Sequence, residues 1–352
     1  MARGAPGDAH TGDERRAGEE PVVREVPGEL SAPTAGRRPV LVTGMHRSGT
    51  TWAGHMLCAG DDFIRLGEPL SPVNRQTILT RNVRHWYTFI DSRNEAKYLQ
   101  SYRDALSFRA HPINDVRRAR LFSPRDPGRM LAHWTSLALG RAQRRRVLFH
   151  DPFAIFSADW FVRRLDCQVV VLVRHPLSVV SGLKRLGWSF DFRHLDQQPA
   201  LMNELLSPYR DEIEQAIGAT DIVDQGSLLW RVVYGTVLDH FASDPAIHIV
   251  RHEDLSIDPG GGFQRLYSTL GATHDAKASA TSERNTNSTN PTELRETDPD
   301  GRRLDSRANL GNWRHRLADE EIERIIQSTR PVAETFYPDD EVRGVLRVGA
   351  SR

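Results

Sequence analysis

The fold of this chain is decided by the stretch Val40–Trp52, which reads VLVTGMHRSGTTW. Its apolar first part predicts a short buried strand, and the glycine-spaced residues that follow predict a tight turn and the start of a helix. From Gly44 the spacing is Gly-x-x-x-x-Gly-x-Thr, the frame of a loop whose backbone N–H groups and helix N-terminus surround a phosphate-like anion. The sequence therefore predicts an anion-binding loop directly after the first strand.

One position of this loop departs from the pattern of nucleotide triphosphatases. Where that pattern requires Lys after the second Gly, this chain has Thr50, and the positive charge lies inside the loop at Arg47. A guanidinium flanked by the hydroxyls of Ser48, Thr50 and Thr51 suits a planar or tetrahedral oxyanion bound without an obligatory metal. The alternative interpretation is a strand, turn and helix whose glycines serve only the backbone conformation.

The composition is that of an ordinary globular protein. The chain has 352 residues, of which 39% are hydrophobic and 26% charged, with a net charge of +1. This balance argues against a nucleic-acid surface. No apolar stretch approaches the length of a membrane-spanning helix, and the first 39 residues contain no apolar signal core, so a cytoplasmic protein is expected. Two cysteines, Cys58 and Cys167, are too few for a disulfide framework or a cysteine-based zinc site.

Three regions differ in their patterning along the chain. Residues 1–36 are rich in Gly, Pro, Ala and charge without apolar periodicity, which predicts a disordered tail. Residues 37–340 are expected to form a single domain, and residues 341–352 a short C-terminal tail. Within the domain, residues 272–308 are polar and turn-rich, and this predicts a mobile flap.

The remaining pattern predicts strands that alternate with helices. Residues 72–145 show mixed helical patterns without a strand signal. Such an alternation predicts an α/β fold, a three-layer α/β/α arrangement with a central parallel sheet. The strands after the first are predicted at Phe63–Pro69, Arg146–Pro152, Cys167–Arg174 and Ile247–Arg251.

Two further charged residues stand at predicted strand ends. Arg174 follows a run of branched apolar residues, and Pro176 then opens a helix that carries Ser178 and Ser181 on its first turns, which predicts a second anion site. Glu68 ends another strand. Because ligands of parallel sheets gather at the carboxyl ends of the strands, these residues indicate a ligand with two phosphate-like groups separated by a nucleoside.

These motifs resemble those of the sulfotransferases that use 3′-phosphoadenosine 5′-phosphosulfate (PAPS). Arg47–Trp52 is similar to their 5′-phosphosulfate loop, and Val173–Pro176 with the following serines to their 3′-phosphate motif. His150–Ala154 and Arg251–Leu255 are further landmarks. The resemblance spans about residues 39–337 and implies the sulfotransferase fold, which is like that of P-loop nucleotide hydrolases. The Gly67-Glu68 pair is similar to the tyrosylprotein and bacterial carbohydrate-type branch.

The resemblance implies a role for each matching residue. Glu68 would be the general base that withdraws the proton of an acceptor hydroxyl. Arg47 would bind the bridging and sulfuryl oxygens. His150 occupies the place of a second cation in the tyrosylprotein branch and would do similar catalytic work as an imidazolium or as a neutral donor. Trp52 would stack on adenine, and Arg174 would pair with the 3′-phosphate.

Some positions depart from the family pattern. Gly182 stands where a helper serine for the 3′-phosphate is expected, so Ser181 or Ser178 would substitute. His252 stands where a tyrosine is expected, and Gly311 replaces a serine of the tyrosylprotein branch. The complete cofactor-binding set implied by the resemblance is Arg47, Ser48, Gly49, Thr50, Thr51, Trp52, Arg174, Ser178, Ser181, His252, Ser306 and Arg307.

The expected function is a PAPS-dependent O-sulfotransferase that acts by in-line displacement and releases adenosine 3′,5′-bisphosphate (PAP). PAPS is the co-substrate, no metal is required, and a sugar, a lipid, a phenolic natural product or a peptide tyrosine could be the acceptor; a homodimer is compatible with the sequence. One alternative is a P-loop nucleotide kinase or triphosphatase, with Asp151 on magnesium. Another is a non-catalytic protein that binds PAPS or a nucleotide.

Overall fold

The computed structural model describes residues 37–73, 79, 83–111, 126–293 and 303–338. The tails predicted for residues 1–36 and 341–352 lie outside the described residues. The middle of the predicted flap, residues 294–302, lies outside them as well.

Five parallel strands form one central sheet in the order β2-β3-β1-β4-β5. The strands are β1 Val40–Gly44, β2 Phe63–Gly67, β3 Arg146–His150, β4 Gln168–Val173 and β5 Ile247–Arg251. In the central strand, Val42 pairs with His150 of β3 on one side and with Val170 of β4 on the other. The predicted parallel sheet is confirmed, and the predicted anion-binding loop follows its central strand.

The alternation of side chains along each strand divides the core into two layers. Val40 and Val42 of β1 and Leu172 of β4 pack on one face of the sheet. Leu41 of β1 and Val171 of β4 pack on the opposite face. Successive strand residues point to opposite faces, so continuous apolar strands need a layer of helices on both sides.

Helices supply these two layers and connect the strands. The α-helices are α1 Thr50–Leu57, α2 Leu99–Leu106, α3 Asp126–Ala142, α4 Ala158–Leu165, α5 Pro176–Leu186, α6 Arg193–Asp196, α7 Pro199–Glu204, α8 Arg210–Gln215, α9 Ile222–Thr236, α10 His252–Ile257, α11 Pro259–Thr269, α12 Ala276–Thr286, α13 Ser306–Asn309 and α14 Asp319–Phe336. Single 3-10 turns lie at Glu95–Lys97, Pro152–Ser157, Ser207–Tyr209 and Asn312–His315, and a π-helical turn at Val237–Phe241 extends α9. Among the described helices, none is both long and apolar enough to cross a membrane.

The predicted flap contains more regular structure than its polar sequence indicates. Its first part forms the 11-residue helix α12. The Asp275 side chain accepts a hydrogen bond from the N–H of Ala278 at 2.7 Å and caps this helix. Thr281 and Ser282 are buried although they are polar. Small side chains can be buried against neighbouring helices without an apolar stripe, which is why hydrophobic periodicity gave no signal for α12.

Truncation of Leu172 in β4 should strongly destabilise the folded protein. This side chain is fully buried, so Leu172→Ala should lower the free energy of unfolding by about 2–5 kcal/mol through lost burial and the resulting cavity. Urea denaturation followed by circular dichroism measures the change. The matched control Leu139→Ala removes the same atoms from a side chain that is 55% exposed on α3, and should change stability by less than about 0.5 kcal/mol. Equal losses for both variants would contradict the burial of Leu172 in the core.

Candidate active site

Four of the predicted site residues gather at one edge of the sheet. Arg47 follows β1, Glu68 follows β2, His150 ends β3 and Arg174 follows β4. Because β1 lies between β3 and β4, the loop after β1 has neighbouring strand ends on both sides. In open parallel sheets this is the position at which ligands bind.

The loop after β1 adopts a backbone that requires glycine at two positions. Gly44 and Gly49 have φ angles of 148° and 97°. A Cβ atom on Gly44 would lie 2.5 Å from the carbonyl oxygen of Leu172, and one on Gly49 would lie 2.3 Å from Cδ2 of His252. Gly49 also precedes α1 without a side-chain cap. The first N–H groups of α1 therefore have no side-chain acceptor, as in helix N-termini that bind anions.

Two buried tyrosines hold the beginning of this loop. The hydroxyl of Tyr234 accepts a hydrogen bond from the N–H of Met45 at 3.2 Å and donates to the carbonyl of Leu172 at 2.8 Å. The hydroxyl of Tyr87 accepts from the N–H of His46 at 3.2 Å. Burial raises the pKa of both tyrosines, so each keeps its proton. Sequence analysis missed them because they lie 41 and 189 residues from the groups they bind.

Arg47 itself lies in a strongly positive environment. Burial, together with the positive charges of Arg174, Arg185 and Arg316, lowers its pKa to about 10. Its guanidinium carbon lies 5.7 Å from the ring centroid of Trp188. A convergence of guanidinium groups favours the binding of an anion.

Sequence analysis missed Arg185 and Arg316 as members of this cluster. The carboxylate of Glu293 holds both: Nη1 of Arg185 lies 3.4 Å from Oε2, and Nε of Arg316 lies 3.2 Å from Oε1. Arg185 lies on α5 and Arg316 directly after the 3-10 turn Asn312–His315, more than 100 residues apart. No local spacing could connect them, so no sequence motif revealed them.

Arg174 connects the loop to the C-terminal part of the chain. Its Nη1 donates to the carbonyl of Arg47 at 3.3 Å, and its Nη2 donates to Oδ1 of Asn309 at 2.8 Å. The indole N–H of Trp230 binds the carbonyl of Arg174 at 2.9 Å. Burial lowers the pKa of Arg174, whereas the carboxylate of Glu253 opposes this shift. Arg174 is therefore fixed beside Arg47.

The helix after Arg174 carries the predicted serines and brings Gly182 close to Arg47. Ser178 and Ser181 are buried on α5, and the Ser181 hydroxyl donates to the carbonyl of Ser178 at 3.1 Å. A Cβ atom on Gly182 would lie 3.7 Å from Nε of Arg47. Gly182 thus occupies the place at which α5 passes Arg47.

The rings of Trp52 and His252 lie beside the start of α1. The Trp52 ring is 5.2 Å from that of His252 and 5.2 Å from that of Phe263, centroid to centroid. Nδ1 of His252 lies 3.2 Å from the hydroxyl of Ser256. Burial and the charge of Arg174 hold the pKa of His252 well below its usual value, so its ring is neutral.

Ser306 and Arg307 bind the end of α10 rather than the loop itself. The Ser306 hydroxyl donates to the carbonyl of Ser256 at 2.8 Å. Nε of Arg307 donates to the carbonyl of Ile257 at 2.8 Å. Both residues therefore attach α13 to α10, and Asn309 of the same helix reaches Arg174.

Glu68 has an unusual backbone and a partly buried carboxyl group. Its φ angle is 29°, a conformation that costs a non-glycine residue about 1–3 kcal/mol. Its N–H donates to the carbonyl of His150 at 2.6 Å. The side chain is 34% exposed. Burial raises the pKa of Glu68, and the charge of Arg65 opposes this shift.

His150 faces Glu68 from the adjacent strand end. Its Nε2 lies 3.8 Å from Oε1 of Glu68. Burial, assisted by the charge of Arg65, lowers the pKa of His150 to about 3. The imidazole is consequently neutral at neutral pH, and it can exchange hydrogen bonds but carries no positive charge.

Asp151, the magnesium ligand of the kinase alternative, is occupied by backbone donors. Its side chain is fully buried, with Oδ2 2.5 Å from the N–H of Leu70 and Oδ1 3.0 Å from the N–H of Phe153. Burial raises its pKa, and the two backbone N–H donors oppose this shift because they stabilise the ionised carboxylate. In the part of the chain that the structure describes, no cluster of three or more His, Cys, Asp or Glu side chains could hold a metal ion.

A separate groove of about 710 Å³ runs along β5 and is lined by residues of β5, α10, α11 and the end of α14. His248, Arg265 and Phe336 belong to its lining, whereas Arg47, Glu68 and Arg174 do not. This groove is therefore distinct from the cluster of strand ends described above.

Comparisons with known proteins identify the family. A model of the sulfotransferase family matches residues 39–276, about two thirds of the chain. No curated protein sequence matches the chain. One similar solved structure is the sulfotransferase domain of the Synechococcus PCC 7002 olefin synthase, with 16% sequence identity and a TM-score of 0.45. The similarity covers 86% of this chain and 96% of that chain.

Two further solved structures are similar at the same level. Mouse sulfotransferase SULT7A1 complexed with PAP has 11% identity, covers 88% of either chain and has a TM-score of 0.41. Sulfotransferase STF9 from Mycobacterium avium has 14% identity, with 87% of this chain and 78% of that chain covered, and a TM-score of 0.40. The family match, which extends from β1 to the first residue of α12, shows that this chain belongs to the sulfotransferase family, whose typical reaction is the transfer of a sulfuryl group from PAPS.

Proposed function

We propose that this chain is an O-sulfotransferase that moves the sulfuryl group of PAPS to a hydroxyl group of its acceptor. One observation carries the proposal: the half-buried guanidiniums of Arg47 and Arg174 adjoin the same loop, and Glu68 stands at a nearby strand end. Two fixed cations beside a helix N-terminus suit a ligand with two anionic groups. A carboxylate with a raised pKa at the same edge of the sheet suits a general base.

The residues present fit PAPS. Nε of Arg47 and Nε of Arg174 are buried and, among the described residues, have no hydrogen-bond partner. Such unpaired buried donors are costly unless a ligand pairs with them. We assign the 5′-phosphosulfate to Arg47 and the loop residues Ser48, Gly49, Thr50 and Thr51.

The 3′-phosphate and the adenine are assigned to the residues around Arg174. Arg174 would pair with the 3′-phosphate, with Ser178 or Ser181 as a helper. Trp52 would stack on the adenine, with the His252 ring beside it. Ser306 and Arg307 complete the proposed cofactor-binding set, and Arg185 and Arg316 add positive charge to it.

PAPS supplies the sulfuryl group: a bond from the acceptor oxygen to sulfur forms while the bond from sulfur to the phosphate oxygen breaks, and PAP leaves. Glu68 would accept the hydroxyl proton of the acceptor as general base. Arg47 would stabilise the negative charge that grows on the departing phosphate oxygen. Neutral His150 would act as a hydrogen-bonding group beside Glu68, and its low pKa removes the imidazolium role.

The acceptor is proposed to be a hydroxyl group of a small molecule, a sugar or a peptide. The position of Glu68 directly after β2 supports an assignment to the tyrosylprotein and bacterial carbohydrate-type branch. We further propose that residues 37–340 form one catalytic domain.

Arg174 should be required for binding of PAP. In calorimetry, the wild type is expected to bind PAP without magnesium, and Arg174→Ala should weaken binding by about 10- to 100-fold, because charge-assisted hydrogen bonds are lost. Arg163→Ala, which removes an arginine whose side chain is 70% exposed on α4, is the control and should bind like the wild type. Absence of binding by the wild type would overturn the assignment, and an absolute need for magnesium would favour a kinase or triphosphatase.

Glu68 should be required for transfer but not for cofactor binding. Glu68→Gln keeps the shape of the side chain and removes the base, so PAP release from PAPS should slow by about 10²- to 10⁴-fold, while PAP affinity stays within about twofold. The assay uses 2-naphthol as a phenolic probe acceptor and water as a parallel acceptor. Glu334→Gln on α14 changes a carboxylate that is 45% exposed and should leave both quantities unchanged. Undiminished transfer by Glu68→Gln would remove Glu68 from the mechanism.

The pH dependence of kcat/KM should follow the pKa of Glu68. A general base acts when deprotonated, so kcat/KM should rise as the pH increases through the pKa of Glu68, which burial raises above its usual value. The charge of Arg65 opposes that shift, so Arg65→Gln should move the rising limb to higher pH. The limb of Arg163→Gln should coincide with that of the wild type. A shift of the Arg65→Gln limb to lower pH would contradict the proposed base.

A further inference from the structure

We propose that Asp151 is a positioning residue that fixes the backbone of Glu68 for proton transfer. The inference rests on the proposed role of Glu68 as general base. Asp151 itself is fully buried and faces backbone groups, so it does not touch the reacting atoms.

The carboxylate of Asp151 binds the turn that carries Glu68. The N–H of Ser71 donates to the carbonyl of Glu68 at 3.2 Å and closes a four-residue turn. Pro69 occupies the second position of this turn, where its fixed φ is favourable. The N–H of Leu70 at the third position is bound by Oδ2 of Asp151 at 2.5 Å. Asp151 thus holds the turn one residue beyond Pro69.

A second contact reaches Glu68 from the same strand end. The N–H of Glu68 donates to the carbonyl of His150, the residue before Asp151, at 2.6 Å. His150 and Asp151, at the end of β3, therefore bind the backbone N–H groups of Glu68 and Leu70. These contacts retain the positive φ of Glu68, which relaxes unless its surroundings fix it.

Asp151 is itself firmly anchored. Its N–H donates to the carbonyl of Val42 in the central strand at 3.0 Å. Its second oxygen, Oδ1, accepts from the N–H of Phe153 at 3.0 Å. Asp151 therefore connects the N–H of Leu70 to the central strand of the sheet, which leads into the loop that contains Arg47. Burial raises the pKa of Asp151, and the negative charge of Glu68 acts in the same direction, in agreement with the closeness of the two carboxyl groups.

Two acceptor oxygens are needed for this arrangement. An asparagine offers one oxygen, and its amide nitrogen would face the second N–H donor. Asp151→Asn should therefore loosen one of the two contacts with little change in volume. A displacement of a catalytic group by about 1 Å can lower the rate by about 100-fold.

The test compares Asp151→Asn with the matched control Asp275→Asn. Asp275 also binds a backbone N–H, that of Ala278 at 2.7 Å, but it caps α12. Asp151→Asn should lower kcat for PAP release from PAPS by about 10- to 100-fold, with 2-naphthol or water as acceptor, and leave PAP affinity and KM for PAPS within about twofold. Asp275→Asn should leave all of these values near those of the wild type.

A double variant separates positioning from a general structural role. In the Glu68→Gln background, Asp151→Asn should cause no further loss of turnover, because there is no base left to position. A further loss of the same factor, or a parallel loss of PAP affinity, would overturn the proposal. If Glu68→Gln alone keeps wild-type turnover, the base assignment fails first, and that result is distinct from a failure of Asp151.

Amide hydrogen exchange in the wild type provides a test that needs no variant. The N–H of Leu70 should exchange at least about 100-fold more slowly than an unprotected amide, because Asp151 binds it in the interior. Rapid exchange at Leu70 would show that the contact is not maintained in solution and would overturn the proposal, even where Asp151→Asn failed to fold.

Discussion

The site depends on one backbone constraint, the left-handed turn between the central strand and the helix that follows it. Arg47 has a φ angle of 72° and Gly49 one of 97°, and these values allow the chain to reverse within a few residues of β1. Tyr87 and Tyr234 bind the start of the turn, and the His252 ring closes against Gly49. Because β1 is the central strand, this turn places a helix N-terminus and Arg47 among the ends of three other strands.

Charge at this edge is arranged for an anion rather than for stability alone. Arg47 and Arg174 lie half-buried beside each other, and the positive charges of Arg185 and Arg316 act on Arg47 as well. Burial of like charges opposes folding unless a partner of opposite charge compensates. Two carboxylates compensate part of this charge: Glu253, which is buried and opposes the pKa shift of Arg174, and Glu293, which binds Arg185 and Arg316. The remainder suits a ligand with several negative charges, as PAPS has.

Burial shifts the pKa values of Glu68 and His150, the two titratable groups at the ends of β2 and β3, in opposite directions. Burial raises the pKa of Glu68 and lowers that of His150 to about 3. A carboxyl group that gains a proton easily and an imidazole that stays neutral can divide the work of base and hydrogen-bonding group. The resemblance alone left His150 between the charged and the neutral form, and burial at the end of β3 decides for the neutral form.

The sequence by itself determined the features whose causes are local. The strand before Gly44, the glycine spacing of the loop and the apolar run before Arg174 predicted the parallel sheet and the family, and both are confirmed. Only the tertiary structure decided which distant groups support the site. The Tyr234 hydroxyl binds the N–H of Met45, which is 189 residues away in the sequence. The charge of Arg316 acts on Arg47 from the other end of the domain sequence. Helix α12 forms without an apolar stripe. The hydrophobic periodicity of a segment reflects which of its faces packs on the core. Hydrogen bonds and charge interactions between distant segments form only when the sheet brings these segments together.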